Sequence, residues 1–418
     1  MAQLSDDCFA FGGDLMSGSE ALRLIEARTV ALPDAETIPL ARARDRILAE
    51  PVVAARSVPP HDNAAVDGYA VFFDDLVPGA ETVLAVEGRA TAGHPLAHPA
   101  RRGAAVRIFT GAPMPDGPDT IFMQEDCREE SGKVRLLPGL KRGANRRRAG
   151  EDVTAGASVL AAGLRLRPQE IGLAASLGCT ELRVYRRLRV ALLSTGDEVR
   201  EPGAPLPPGA IYDANRYTLR ALLEGLGAEV TDLGILPDER TMIQSALRRA
   251  AETHDLIVTS GGMSTGEEDH MKAAVEAQGR LHFWRLAIKP GRPVAMGQVG
   301  RVPFLGLPGN PVAVMVTFLV LARPLILRLA GARDIAPRSF RAVSGFGYRK
   351  KPGRREYLRA RLEPGPEGSW IAQKFPRDGA GILSSMVESD GLVVLDESAA
   401  NIEPGASVPF LPFREVID

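Results

Sequence analysis

Two kinds of hydrophobic pattern divide the chain. Between residues 188 and 335, short and continuously apolar runs alternate with longer amphipathic stretches. The runs have the composition of strands buried on both faces, and the stretches have the spacing of helices. We therefore predict strands at 190–193, 229–230, 256–258 and 283–288, and helices at 216–226, 239–253 and 272–277. This alternation predicts an α/β domain whose parallel sheet is covered by helices on both faces.

The flanking regions have a different pattern. A predicted helix at 20–27, capped by Ser17 or Ser19, precedes a second predicted helix at 42–49. Residues 51–149 are rich in glycine and proline, which is typical of a small β domain. Its predicted strands lie at 83–86, 105–108 and 120–123. After residue 338, alternating runs at 356–362 and 391–395 predict a barrel-like C-terminal β domain.

Composition and charge argue against several classes of protein. The 418 residues carry 51 Lys and Arg against 52 Asp and Glu, and a net charge of -1 does not suit a general nucleic-acid binder. Cys8, Cys127 and Cys179 form no Cys-x-x-Cys pair, so we expect no disulfide framework or zinc site. The apolar run at 312–322 predicts a buried helix too short to span a bilayer. Since the N-terminus also lacks a signal-peptide pattern, we expect a cytoplasmic protein.

The most informative loop follows the predicted strand at 256–258. Ser260, Gly261 and Gly262 would turn the backbone sharply and let it approach a ligand closely. A helix beginning near Glu268 would point free N–H groups at that ligand. The loop therefore predicts a phosphate-bearing ligand, and the carboxylates at 267–269 suit a metal ion or a polar ring edge.

Three more loops each follow an apolar run, at 194–198, 235–238 and 307–311. Because ligands bind at the carboxyl ends of parallel strands, we expect all four loops to meet at one edge of the sheet. Taken alone, 194–198 suits an ordinary strand-to-helix turn, and 289–293 is evenly balanced between a rigid exposed turn and an oxyanion site. In the same way, 59–71 suits Asx-turns, and 145–153 suits either a solvated linker or a substrate-binding strip.

The combination of motifs is more specific than any one of them. In order, they occupy 62–71, 110–113, 145–152, 194–198, 260–262, 289–293 and 306–311. Their order resembles that of the molybdopterin molybdenumtransferases, a molybdenum-insertion family that includes the gephyrin E-domain. The chain departs from the usual motifs at Ala64, Val66, Met263 and Arg285, which stand where serine, methionine, valine and lysine are common.

The resemblance implies a multidomain α/β fold. It places the molybdopterin-binding α/β domain at 1–22 and 183–335 and a linker domain at 23–57 and 150–182. It also implies a β-rich lobe at 58–149 and a C-terminal β-barrel at 336–418. The family's homodimer is expected as well, with a cleft built from the α/β domain of one subunit and the β lobe of the other.

The implied activity inserts molybdenum from molybdate into adenylylated molybdopterin and releases AMP in a Mg²⁺-dependent step. The expected partners are the adenylyltransferase that supplies the substrate and the molybdoenzymes that accept the product, without nucleic acid or membrane. The resemblance implies catalytic roles for Asp152, Glu198, Asp238, Asp269 and Lys289, with Glu198 and Asp238 as metal ligands. It implies substrate contacts for Asp62, Thr110, Ser260, Gly261, Gly262, Arg285, Pro308, Pro311 and Ser384, with Ser385 as the alternative to Ser384.

Two other functions are weighed against this one. A pyrophosphatase of the competence-damage-inducible family is similar around the Ser-Gly-Gly loop, but the segment at 62–71 and the C-terminal domain argue against it. A scaffold protein with a degenerate cleft is the non-enzyme alternative, and the intact set of acidic residues argues against that.

Overall fold

The computed structural model describes residues 15–261, 270–291 and 293–416. Within it the chain forms two compact units. The first unit contains the described residues up to Glu50, then Ala162–Arg167, then those from Leu182 onward. The second unit contains Pro51–Ala161 and Pro168–Glu181.

The chain begins in the first unit with helix α1 (Gly18–Arg28). The Ser17 hydroxyl accepts a hydrogen bond from the Glu20 N–H at 3.2 Å, so the predicted cap is confirmed at Ser17. Strand β1 (Ala35–Pro39) follows, and it later pairs with β12 (Glu181–Tyr185).

The predicted helix at 42–49 is wrong. The structure has only a 3₁₀ turn, Leu40–Arg42, and Asp45 then adopts a left-handed φ of 61°, which interrupts a helix. Ile47 and Leu48 instead form antiparallel bridges to other segments and are buried. Tertiary burial of these two side chains outweighs the local helix preference.

The second unit is built on one six-stranded sheet, and it confirms all three predicted strands there. The sheet order is β7-β4-β6-β5-β9-β8, and apolar side chains pack on both of its faces. Two short strand pairs, β3 with β10 and β2 with β11, lie outside this sheet. The elements are β2 (Val52–Val53), β3 (Asn63–Ala64), β4 (Gly68–Val71), β5 (Thr82–Ala90), β6 (Ala104–Ile108), β7 (Thr120–Met123), β8 (Cys127–Glu130), β9 (Lys133–Leu136), β10 (Arg146–Arg147), β11 (Ser158–Leu160) and α2 (Pro168–Ser176).

The first unit continues as an α/β domain. Its elements are β13 (Arg189–Thr195), β14 (Val199–Arg200), β15 (Ile211–Tyr212), α3 (Ala214–Gly225), β16 (Glu229–Leu236), α4 (Arg240–Thr253), β17 (Leu256–Ser260), α5 (His270–Glu276), β18 (Gly279–Arg285), β19 (Ile288–Lys289), β20 (Pro293–Val299), β21 (Val302–Leu307), α6 (Pro311–Thr317) and α7 (Arg323–Leu329). The sheet order is β16-β13-β17-β21-β20-β18. The first four strands are parallel, as predicted. β20 is antiparallel to both neighbours, so β18 runs in the same direction as β21.

The central strands are buried on both faces. Along β13, Val190 and Leu192 face the core that also contains residues of α3 and α6. Ala191 and Leu193 face the core that contains residues of α4 and α5. Each face is therefore closed by helices, which explains why the strand sequences are continuously apolar.

The predicted strand at 283–288 is divided between two sheets. β18 ends at Arg285, whose carbonyl accepts a hydrogen bond from the Met16 N–H at 2.9 Å. The Met16 carbonyl accepts the Ala287 N–H at 2.7 Å, so the N-terminal segment takes the backbone groups that would continue the strand. Ile288 and Lys289 then form β19, which pairs with β24 (Arg355–Pro364) of the C-terminal barrel.

The predicted helix at 312–322 is longer than expected. Helical backbone runs from Pro311 to Leu329, because a π-helical turn at Phe318–Ala322 joins α6 to α7. The wider π turn, in which the Arg323 N–H bonds the Phe318 carbonyl, accommodates Pro324 without ending the helix. By length and composition this 19-residue helix is the one membrane-span candidate among the described residues. It is a core helix, because 83 % of its apolar window is buried inside the protein.

The C-terminal region is a closed five-stranded barrel, as predicted. Strands β24, β25, β22, β28 and β26 pair in that order, and β26 closes the barrel on β24. Besides β24, the elements are β22 (Phe340–Ser344), β23 (Tyr348–Arg349), β25 (Trp370–Lys374), α8 (Ser384–Val387), β26 (Gly391–Leu395), β27 (Asn401–Ile402), β28 (Ser407–Pro412) and α9 (Phe413–Val416).

Gly331 ends α7 and is expected to be sensitive to substitution. Its φ is +97°, and a Cβ there would overlap the Tyr185 ring. We expect Gly331→Ala to lower the free energy of unfolding by about 2–3 kcal/mol, from left-handed strain plus overlap. Gly300→Ala is the matched control, because Gly300 has a φ of +60° with nothing within 4 Å. Urea unfolding should show a clearly larger loss for Gly331→Ala, and equal losses would contradict this explanation.

Candidate active site

The predicted convergence of loops at one edge of the sheet is confirmed for the described residues. Ser194 is in register with Ser260, Ser260 with Leu307, and Thr195 with Leu236. These pairings bring the carboxyl ends of β13, β16, β17 and β21 to the same edge. Gly262, the last residue of the predicted Ser-Gly-Gly loop, lies outside the described residues.

A cleft of about 520 Å³, including its open mouth, lies at this edge. One wall carries polar groups of the strand ends, and another carries the apolar side chains of the β14 and β15 segment. The lining residues are Ser194, Thr195, Glu198, Val199, Ile211, Tyr212, Asp213, Ala214, Asn215, Ser260, Gly261, Gly309 and Pro311. The predicted loops at 194–198, 260–262 and 307–311 thus each contribute residues to one cleft.

Gly261 is required by the backbone at the floor of this cleft. Its φ is +83°, and a Cβ would come within 3.1 Å of the Thr195 carbonyl oxygen. Ser260 is buried, and its hydroxyl donates a hydrogen bond to the Pro308 carbonyl at 3.2 Å. The single hydroxyl hydrogen is therefore used inside the protein, and the Gly261 N–H likewise donates to the Leu307 carbonyl at 3.3 Å.

Two of the predicted acidic residues follow adjacent strands. Glu198 is exposed and lines the cleft, where its side chain folds over Gly196. Asp238 follows β16 and is half-buried, outside the cleft lining. Asp269 lies outside the described residues.

The acidic side chains suit a metal ion that is shared with a ligand. Among the described residues, no group of three or more His, Cys, Asp or Glu side chains is arranged to hold a metal by itself. Mg²⁺ commonly takes one or two carboxylates and completes its shell with water and substrate phosphates. Glu198 and Asp238 follow neighbouring strands and are of the ligand type that Mg²⁺ takes, and of the two only Glu198 lines the cleft.

Two predicted cations lie at the end of β18 and shortly after it. Arg285 is exposed at the carboxyl end of that strand, and therefore at the edge where the cleft lies. The Lys289 Nζ lies 3.1 Å from Oε2 of the buried Glu356 and 3.4 Å from the Tyr348 hydroxyl. Burial, with the hydrogen bond to Glu356, raises the pKa of Tyr348. The barrel therefore holds Lys289 in place, while half of its side chain stays exposed.

The two candidate serines of the barrel differ in burial and in the hydrogen bonds of their hydroxyl groups. Ser385 is fully buried, accepts a hydrogen bond from the Arg359 Nε at 3.0 Å and donates one to the Ile382 carbonyl at 2.5 Å. Ser384 is exposed at the start of α8. Of the two, Ser384 is the one whose hydroxyl can reach a ligand.

Pro311 begins α6, with Asn310 at the N-cap position. The Asn310 side chain makes no capping hydrogen bond, however. The Val312 N–H instead donates to the Ala380 carbonyl at 2.9 Å, so a barrel segment occupies part of this helix end. Fewer N–H groups are therefore available to a ligand here than the sequence suggested.

The second unit positions Asp62 and Thr110 through hydrogen bonds. Asp62 Oδ1 accepts the Ala149 N–H at 2.7 Å, and its Oδ2 lies 3.4 Å from the Arg146 Nε. The N–H and the hydroxyl of Thr110 both donate to Oδ1 of Asp67, at 2.8 and 2.7 Å. Thus the motifs at 62–71 and 145–152 meet, and Asp67 holds Thr110.

The third site residue in this unit is Asp152. Its side chain is exposed, and its N–H donates to the Val58 carbonyl at 3.1 Å. The backbone therefore anchors the loop while the carboxylate remains open to solvent.

The Thr110 hydroxyl is expected to affect the titration of Asp67. The Thr110 N–H, then its hydroxyl, lower the pKa of Asp67 below the ordinary value of 3.8. We expect Thr110→Val to raise this pKa only partly, because the N–H remains. A depressed carboxyl pKa stabilises the fold above the unfolded pKa, and that stabilisation is lost as the pH falls through the folded value. The loss in the free energy of unfolding that Asp67 causes on acidification should therefore be smaller in Thr110→Val than in the wild type.

Carboxyl-carbon NMR titration of Asp67 checks this expectation. Thr154→Val is the control, because the Thr154 hydroxyl bonds only the Gly150 carbonyl at 3.4 Å. An unchanged Asp67 pKa in Thr110→Val would show that the hydroxyl contributes nothing.

The sequence did not single out four residues that the structure places around the cleft. Tyr212, Asp213 and Asn215 line it, and Arg216 lies behind it with a side chain only 4 % exposed. Asp213 caps α3 by accepting the Arg216 N–H at 3.0 Å. The sequence signal for this group was an Asp three residues before the Arg at the predicted helix start.

Comparison with known proteins finds three family regions that together cover most of the chain. Residues 16–178 match the MoeA N-terminal region (domain I and II), residues 191–328 a probable molybdopterin binding domain, and residues 341–413 the MoeA C-terminal region (domain IV). The molybdopterin molybdenumtransferase of Haemophilus influenzae is 41 % identical over 91 % of this chain and 95 % of its own length.

Other relatives give the same result. Molybdopterin molybdenumtransferase 2 of Mycobacterium tuberculosis is 35 % identical over 89 % of this chain and 93 % of its own length. The crystal structure of the molybdopterin biosynthesis MoeA protein from Pyrococcus horikoshii superposes with a TM-score of 0.81 at 28 % identity, covering 96 % of this chain and all of that one. The chain therefore belongs to the molybdopterin molybdenumtransferase family.

Proposed function

We propose that this protein inserts molybdenum from molybdate into the dithiolene of adenylylated molybdopterin, with release of AMP. The observation that carries the proposal is the cleft at the carboxyl edge of the sheet. There Gly261 and Glu198 both line the cleft, the first without a side chain and the second with a carboxylate. These features suit a phosphate-bearing ligand, and the relatives' name, molybdopterin molybdenumtransferase, supports a molybdopterin substrate.

The protein's contribution is positioning and electrostatics, without a protein nucleophile. Backbone N–H groups of the Ser-Gly-Gly loop beyond Gly261 would bind a phosphate of the substrate. Arg285 and Lys289 attract the molybdate dianion and stabilise the charge on departing AMP. Glu198 and Asp238 would hold Mg²⁺, which would supply charge neutralisation for the phosphate groups of the substrate.

The remaining site residues are assigned to substrate contacts. Asp269 accepts hydrogen bonds from the pterin edge, and Ser384 adds a hydroxyl from the barrel. In the second unit, Asp62, Thr110 and Asp152 contact substrate. We further propose a cytoplasmic homodimer that receives its substrate from an adenylyltransferase and passes the cofactor to molybdoenzymes.

The two rival functions predict different results. A pyrophosphatase would cleave substrate without molybdate and would also cleave free nucleotide pyrophosphates. A scaffold would bind a partner peptide and turn over no substrate. The presence of family regions on both sides of the α/β domain favours the insertion reaction over the hydrolase.

The test is AMP release from adenylylated molybdopterin with Mg²⁺, with and without molybdate. Insertion requires that release depend on molybdate and that the product reconstitute an apo-molybdoenzyme. Release independent of molybdate would favour the hydrolase, and tight binding without release would favour the scaffold. Omitting Mg²⁺ in the presence of EDTA tests the metal requirement separately.

A further inference from the structure

One amide side chain joins two loops of the cleft. The Asn215 Nδ2 lies 2.9 Å from the Ser260 Oγ and 2.7 Å from the Gly309 carbonyl oxygen. Ser260 ends β17, whereas Gly309 lies in the loop between β21 and α6. Asn215 itself is in the first turn of α3. Three elements that lie far apart in the sequence therefore meet at this amide.

The chemistry of the partners fixes the direction of each bond. A carbonyl oxygen can only accept, so the Asn215 NH₂ group must face Gly309. Its second hydrogen then goes to the Ser260 Oγ, which in turn donates to the Pro308 carbonyl at 3.2 Å. The result is a chain of hydrogen bonds from Asn215 through Ser260 to Pro308. Pro308 lies in the same loop as Gly309, which Asn215 also bonds directly.

We propose that Asn215 is a positioning residue that holds these two loops at the separation needed to bind the substrate phosphate. The proposal rests on the function proposed above. Gly261 and Gly309 both line the cleft, and their backbones carry no side chain that could hold them in place. A direct backbone bond between the loops, from the Gly261 N–H to the Leu307 carbonyl, is long at 3.3 Å. The two hydrogen bonds of Asn215 are therefore shorter than this backbone bond between the same loops.

Asn215 is itself held by the buried end of α3. The next residue, Arg216, bonds Asp213 at 3.0 Å and also contacts Asp232 and Glu201. These bonds fix the first turn of the helix against β16 and the segment after β14. Because its backbone is fixed, Asn215 loses little further freedom when it forms its two bonds.

Steady-state kinetics of AMP release tests the proposal with Asn215→Ala and Asn215→Asp. We expect Asn215→Ala to raise the KM for adenylylated molybdopterin about tenfold and to change kcat much less, because two hydrogen bonds that shape the binding loops are lost. Asn215→Asp keeps the size but has no hydrogens for Gly309, so its KM should rise at least as much. A purely structural role would instead lower the active fraction and leave KM unchanged.

Thr218→Val is the matched control. Thr218 lies one turn later on α3, and its hydroxyl bonds only the Ala214 carbonyl at 3.0 Å. This variant should keep both the KM and the kcat of the wild type. If it raised KM as Asn215→Ala does, the effect would belong to α3 in general and the proposal would be overturned.

Hydrogen exchange of the substrate-free protein gives a readout that is independent of activity. Peptides spanning 256–261 and 305–310 should exchange faster in Asn215→Ala than in the wild type, with other segments unchanged. Unchanged exchange in both peptides, or a KM within twofold of the wild type, would overturn the proposal. If the wild type releases no AMP, the proposed function fails, and the exchange result still decides whether Asn215 holds the loops.

Discussion

Glu198→Ala is expected to lower the rate of molybdate-dependent AMP release by about 100-fold or more. Glu198 is exposed in the cleft, follows β13 and is one of two carboxylates that suit Mg²⁺. Removing one group that stabilises charge in a phosphoryl or acyl transfer site commonly costs about 10²–10³ in rate. Because the side chain is exposed, the fold should not depend on it. The measurement is kcat for AMP release, together with circular dichroism and thermal unfolding.

The metal role predicts a second property of Glu198 variants. Glu198→Gln keeps the size and removes the charge, so half-maximal activity should require a higher Mg²⁺ concentration. Asp197→Asn is the matched control, because Asp197 is an exposed carboxylate in the same loop that does not line the cleft. Activity within twofold of the wild type for Glu198→Ala would remove Glu198 from the mechanism. An equal loss of activity in Asp197→Asn would mean that the total negative charge of the loop matters, and not the Glu198 carboxylate in particular.

Arg216→Met is expected to lower the free energy of unfolding by about 3 kcal/mol or more. The guanidinium is 4 % exposed and contacts Asp213, Asp232 and Glu201, of which Asp213 is 3 % exposed. Burial by itself lowers the pKa of Arg216, but hydrogen bonds to Asp232 and Asp213 outweigh it, so the pKa is raised. Removing the cation leaves Asp213 buried without its ionic partner. That uncompensated charge is the main source of the loss.

Arg220→Met provides the comparison for Arg216→Met. Arg220 lies one turn later on α3 and bonds Glu224 at 2.9 Å, with both side chains about half exposed. An exposed pair of this kind contributes only about 0.3–0.5 kcal/mol. Urea unfolding should therefore show a much larger loss in the free energy of unfolding for Arg216→Met than for Arg220→Met. Similar losses would show that the buried position of Arg216 has no special importance.

The secondary structure of the α/β domain was predictable because its signals are local. Continuously apolar runs gave β13 and β17, and amphipathic spacing gave α3 and α4 within two residues of their observed starts. The same logic succeeded for the strands of the second unit, where glycine- and proline-rich turns separate the runs. In each case one local pattern decided the element.

The errors occurred where distant residues decided the structure. The segment at 42–49 has helical spacing, but Ile47 and Leu48 bridge to Arg165 and Val184, more than 100 positions away in the sequence. The strand predicted at 283–288 was interrupted by Met16, which lies at the other end of the chain. The helix predicted at 312–322 continues past Pro324, because a π turn within the buried core accommodates that residue.

The sequence by itself determined the fold class, the family and the edge of the sheet where the cleft lies. These follow from short-range patterns and from the rule that parallel strands share a carboxyl edge. Only the tertiary structure decided which side-chain groups remain available there. It showed that the Ser260 hydroxyl is used by Pro308, that Lys289 is held by Glu356, and that Asn215 joins two loops. Hydrogen-bond donors are shared between segments far apart in sequence, so their availability depends on contacts that no local pattern records.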